Sequence, residues 1–94
     1  MYEIETTDYF KKKYKKLVSR NNELRDRIIK AIETLKDNPK HKSLKSHKVT
    51  ITEFGKVYSS SVTGDIRIIW TESNKKLVLL LLDIGGHSGG TGVY

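Results

Sequence analysis

The sequence contains no cysteine, which excludes disulfide bonds and thiolate metal sites. The three histidines, His41, His47 and His87, lack the paired spacing with one another or with carboxylates that marks a metal site, so neither a metal nor any other cofactor is expected. No stretch approaches the roughly 18 continuous apolar residues that a membrane helix needs. The start, Met1-Tyr2-Glu3-Ile4-Glu5, is acidic and strand-like, unlike a secretory leader, so a cytoplasmic protein is expected. Internal repeats and low-complexity linkers are also missing, apart from a glycine-rich end.

What is present is basic charge on a small body. Eighteen Lys and Arg against eleven Asp and Glu give a net charge of +7 over 94 residues. On so small a protein that charge makes a field of several kT, which attracts polyanions, nucleic acid first among them. Simple solubility is the other reading of the same charge. The length suits one domain, residues 1–94, with 84–94 as a glycine-rich tail.

Tyr2, Ile4 and Thr6 alternate with Glu3 and Glu5, which predicts a short strand. Thr7 and Asp8 can cap a helix in which Phe10, Tyr14 and Leu17 share one face, with Lys11, Lys12, Lys13, Lys15 and Lys16 around them. That cationic face is expected to act by long-range attraction or to stay solvated. Asn21 or Asn22 caps a second helix with a stripe of Leu24, Ile28, Ile32 and Leu35, widened by Ile29 and Ala31. It ends near Asn38 because Pro39 disfavours helical backbone in the residue before it. The connection between the helices is short, which makes them an antiparallel hairpin.

His41 to Thr52 is polar and basic and reads as a surface loop with a short strand near its end. Strands follow at Lys56 to Val62, Ile66 to Thr71 and Lys76 to Asp83, turned at Gly64-Asp65 and Ser73-Asn74. Ile66, Ile68 and Trp70 share one face of the middle strand, Arg67 and Ile69 the other. The unbroken aliphatic run Leu77 to Leu82 predicts a strand covered on both faces. The expected fold is α+β, β-α-α-β-β-β, with a helix hairpin packed on a mostly antiparallel twisted sheet.

This layout, the segment from Lys56 to Trp70 with its Arg-bearing aliphatic strand, and the ending Leu82-Asp83-Ile84-Gly85-Gly86-His87 with Tyr94 close behind resemble toxins of the RelE/ParE superfamily. The resemblance implies the toxin of a type II toxin–antitoxin system. Its partners would be an acidic antitoxin, mRNA and the ribosome, with no membrane. On the RelE-like branch the implied activity is a metal-independent mRNA endoribonuclease that inhibits translation. There the substrate's 2′-hydroxyl attacks the adjacent phosphate. On the ParE-like branch it is inhibition of DNA gyrase without nuclease activity; an inactive remnant that binds antitoxin or RNA is a third possibility.

The resemblance also implies roles. Arg67 would stabilise the phosphate, since its guanidinium can hold two phosphoryl oxygens at once; the alternative is an ion pair with Glu53 or Glu72. His87 titrates near neutrality and suits proton transfer. Tyr94 could stack on a base, or serve as a proton donor or orienting group. His47 is a candidate general base, with Glu53 as the other. Lys42, Lys45, Lys48 and Lys56 are expected to bind RNA.

Overall fold

The computed structural model describes residues 1–74 and 77–86. The chain runs from strand β1 (Glu3–Thr6) through helices α1 (Asp8–Val18) and α2 (Asn22–Asp37) and a 3-10 turn (Lys42–Leu44). Strands β2 (His47–Ile51), β3 (Gly55–Ser61), β4 (Ile66–Glu72) and β5 (Val78–Gly86) follow. The sheet order is β1-β5-β4-β3-β2, with β1 parallel to β5 and the other pairs antiparallel. This is the expected α+β architecture, with the short strand expected near the end of the His41–Thr52 segment joining the sheet as β2. No helix among the described residues is long and apolar enough to cross a membrane.

Both helix starts follow from their caps. Thr7 Oγ1 accepts from the Phe10 amide at 3.0 Å and donates to the Leu82 carbonyl at 3.1 Å, so the same hydroxyl starts α1 and pins it to β5. Asn21 Oδ1 accepts from the Leu24 amide at 3.0 Å. Phe10 of α1 and Ile28, Ala31 and Leu35 of α2 are buried against Ile68, Trp70, Leu79, Leu81 and Ile84 of the sheet. Ile29, expected to widen the apolar stripe, is instead 44% exposed, because it lies just past the edge of the stripe that meets the sheet.

Period-two alternation separates the two faces of the sheet. Ile66, Ile68 and Trp70 join the core beneath the helices. Ile69 packs with Ile51, Val57 and Leu82 on the face turned away from them. Strand β5 lies between β1 and β4 and contributes to both clusters, as its unbroken aliphatic run predicts. It also runs on through Ile84, Gly85 and Gly86, which pair with Ile68, Arg67 and Ile66. Those residues belong to the sheet and not to a tail.

A buried relay ties the segment after α2 to this core. The Trp70 indole donates to Ser60 Oγ at 2.8 Å, Ser60 and Ser46 hydroxyls are 2.6 Å apart, and Ser46 Oγ donates to the Pro39 carbonyl at 2.7 Å. Each hydroxyl has one hydrogen, and Ser46 gives its own to Pro39, so Ser60 donates to Ser46. The relay therefore runs one way, from Trp70 through Ser60 and Ser46 to Pro39. Ser60 and Trp70 are both fully buried.

Candidate functional site

The segment expected to be mostly loop supplies an ordered wall. His41 opens the 3-10 turn: its Nδ1 accepts from the Ser43 amide at 3.1 Å and lies 2.8 Å from the Ser43 hydroxyl. Leu44 plugs into the core at 2% exposure. Lys45 closes the turn in the left-handed region, φ 49° and ψ 41°. A side chain there is held only when its surroundings demand it. The consequence appears two residues on, where Nδ1 of His47 lies 3.0 Å from the Lys45 carbonyl. A carbonyl only accepts, so Nδ1 carries the hydrogen, and in the neutral ring the lone pair sits on Nε2.

Arg67 approaches from the other side. It is the second residue of β4, directly opposite Ser61 of β3, and its guanidinium donates to Ser61 Oγ at 2.9 Å. Its partner on β5 is Gly85, which brings no side chain of its own to that flank. At the β3–β4 turn, Thr63 Oγ1 accepts from the amides of Asp65 and Ile66 and fixes the rim.

Lys45, His47 and Arg67 line one cleft of about 400 Å³ with Ser43, Ser61, Thr63 and Gly64. Three cationic or titratable side chains from separate segments thus share a pocket within the size range of ligand sites. Such a set can hold a phosphate and move a proton.

The remaining expected residues divide. Lys42 is exposed on the 3-10 turn, outside the lining of this cleft. Lys48 turns to the helix side of the sheet, with its Nζ 6.0 Å from the centre of the Tyr58 ring, which stacks on Trp70. Lys56 shares that side by alternation with Val57. Glu53 sits in the β2–β3 turn beside Gly55, six residues along β3 from Ser61, which is roughly 20 Å. That separation removes it both as the alternative base and as an ion-pair partner for Arg67. Glu72 is five residues up β4 from Arg67, roughly 16 Å away along the strand, which is beyond ion-pair reach. His87 and Tyr94 lie outside the described residues. Gly86, immediately before His87, pairs with Ile66, the neighbour of Arg67.

Sequence reasoning missed Ser61 and Ser43. The signal for Ser61 was available: Ser59-Ser60-Ser61 puts three hydroxyls inside a strand, an unusual choice for a half-buried ladder.

No curated protein matches the chain by sequence. Among solved structures, YafQ from E. coli strain BL21(DE3) superposes with a TM-score of 0.71 at 19% identity, covering 92% of this chain and 93% of its own. The YoeB/ParE toxin from Agrobacterium tumefaciens gives 0.75 at 15% identity, covering 92% of this chain and 99% of its own. YafQ in the E. coli DinJ–YafQ toxin–antitoxin complex gives 0.70 at 19%, covering 92% of each chain. At such identities these likenesses speak for the fold. The assignment comes from the sequence family model, which matches residues 2–89: the chain belongs to the YafQ family of bacterial toxins of type II toxin–antitoxin systems.

Proposed function

We propose that this toxin is an mRNA endoribonuclease that acts on the translating ribosome in the cytoplasm. The observation that carries the reading is the convergence of Lys45, His47 and Arg67 on one cleft, with the imidazole tethered through Nδ1. In the proposed reaction, His47 Nε2 takes the proton of a ribose 2′-hydroxyl. The freed oxygen bonds to the adjacent phosphorus, and the P–O5′ bond breaks. Arg67 exchanges its Ser61 contact for two phosphoryl oxygens, where charge accumulates as the reaction proceeds. Lys45 adds a point charge. His87 returns a proton to the departing 5′-oxygen, and Tyr94 stacks on a neighbouring base. The products are a 2′,3′-cyclic phosphate and a 5′-hydroxyl. The nucleophile comes from the substrate, so the reaction calls for no metal.

E. coli YafQ is bound by DinJ in a toxin–antitoxin complex. By analogy, a small acidic antitoxin covers the basic surface of this toxin and folds as it binds.

Purified toxin added to translating ribosomes is expected to cut mRNA, leaving 5′-hydroxyl ends that can be mapped by primer extension. Naked mRNA is expected to be cut far more slowly. Growth arrest with gyrase-dependent DNA damage and intact mRNA would overturn this reading in favour of a ParE-like activity.

A further inference from the structure

A second groove adjoins the cleft. It has a volume of about 460 Å³ and is walled on one side by Arg27, Lys30 and Thr34 of α2. Ser43, Ser61 and Val62 line both hollows, so they form the ridge where the two meet. Residues 27, 30, 31 and 34 recur at three- and four-residue spacing, which puts them in one stripe along the helix. Thr34 Oγ1 is turned back onto the Lys30 carbonyl at 2.9 Å. The polar character of the wall therefore comes mainly from the two cations.

Arg27 is held only loosely. Its guanidinium is 3.6 Å from Glu23, and the two side chains are 58% and 82% exposed. An exposed pair of that kind is readily exchanged for a better partner. Among the described residues the lining contains no aromatic ring on which a base could stack, and its apolar atoms come from Ala31, Leu44 and Val62. An amphipathic peptide helix would look for larger apolar anchors than these. Spaced cations without a stacking platform suit the sugar–phosphate backbone of a single strand.

We propose that this α2 groove is a second RNA subsite, which grips the phosphates flanking the scissile one through Arg27 and Lys30 and does so without regard to base identity. The inference rests on the nuclease reading, because the strand must thread from the Arg67 cleft across the Ser43–Ser61 ridge. The subsite supplies affinity and register to the substrate, and the chemistry stays at His47 and Arg67.

The test uses fluorescence anisotropy with fully 2′-O-methylated oligonucleotides, which cannot be cut, of three and ten nucleotides. Wild type is expected to bind the longer one at least tenfold more tightly. Arg27→Gln/Lys30→Gln is expected to abolish that advantage and leave the trinucleotide affinity within twofold. Its salt slope on the longer strand should fall by roughly 1.4, since two phosphates are no longer neutralised and each is worth about 0.7. An unchanged melting temperature guards against misfolding, with single variants as the second check. If the double variant keeps full length dependence, the subsite is overturned while the nuclease reading stands. Failure of wild type to bind either oligonucleotide overturns the subsite, whereas intact mRNA on translating ribosomes is the result that overturns the nuclease reading. Retained RNA binding with lost neutralisation by an acidic antitoxin would overturn it in favour of a peptide groove.

Discussion

The imidazole of His47 is tethered through Nδ1 to the carbonyl of Lys45, two residues upstream, at 3.0 Å. The proposed base is therefore oriented by the backbone of the strained residue that ends the 3-10 turn, and no carboxylate is needed for the task. His47→Ala is expected to lower the single-turnover rate of mRNA cleavage by about 10²–10⁴-fold, the ordinary worth of a positioned base. Because the ring is exposed, the melting temperature should hardly move. Undiminished cleavage would remove His47 from the mechanism.

Lys45 combines two properties that substitution can separate. Its φ of 49° costs a side-chain-bearing residue energy that glycine avoids. Lys45→Gly should unfold at the same urea concentration as wild type or higher, yet cleave more slowly for want of the ammonium group. Lys45→Val should lose about 1–2 kcal/mol of stability and disturb His47 as well. A Gly variant less stable than the Val variant would show that backbone strain is not what governs this position.

Ser46 stands between Lys45 and His47, so the relay from Trp70 anchors the site from below. Ser60→Ala leaves the buried indole N–H without its acceptor and should cost about 1–3 kcal/mol. It should also slow cleavage, although Ser60 lies beneath the sheet. Ser60→Ala/Trp70→Phe removes the orphaned donor, so its loss of stability is expected to be smaller than the sum of the two single losses. Additive losses in a denaturant-based double-mutant cycle would mean that the relay is not coupled.

The parts of this fold that were legible in the sequence are those set by local rules. Thr7 and Asn21 cap where a short polar side chain precedes an apolar periodicity, and Arg67 parts from Ile66 and Ile68 because strand faces alternate. β2 was harder to read. Only Ile51 is buried in it and Val49 half-buried, so the segment carries the composition of a loop and becomes a strand by pairing with β3. The site divides in the same way. Arginine and histidine could be picked out by their chemistry, but their meeting depends on two registers, His47 with Ser59 and Ser61 with Arg67, which no local pattern encodes. For the same reason Glu53 stood as an alternative to His47, the better candidate, until the strand pairing set it at the far end of the sheet.

The lysines of α1 look alike in sequence and differ in the fold. Lys11, Lys12, Lys15 and Lys16 are exposed, whereas Lys13 is 15% exposed and places its Nζ 2.8 Å from Asp83 Oδ1, itself only 6% exposed. Asp83 pairs with Ile69 across the β4–β5 ladder and also accepts from the Ile84 amide at 2.8 Å. Removing the lysine would strand a buried carboxylate. Lys13→Met is therefore expected to cost about 3 kcal/mol or more, whereas Lys12→Met should stay within about 0.5 kcal/mol. Adding Asp83→Asn to Lys13→Met should recover much of the loss, since the amide oxygen can still accept from Ile84 and no bare charge remains. Urea midpoints of the four proteins decide the matter: equal effects at positions 12 and 13 would mean that the ion pair beneath α1 contributes nothing to folding.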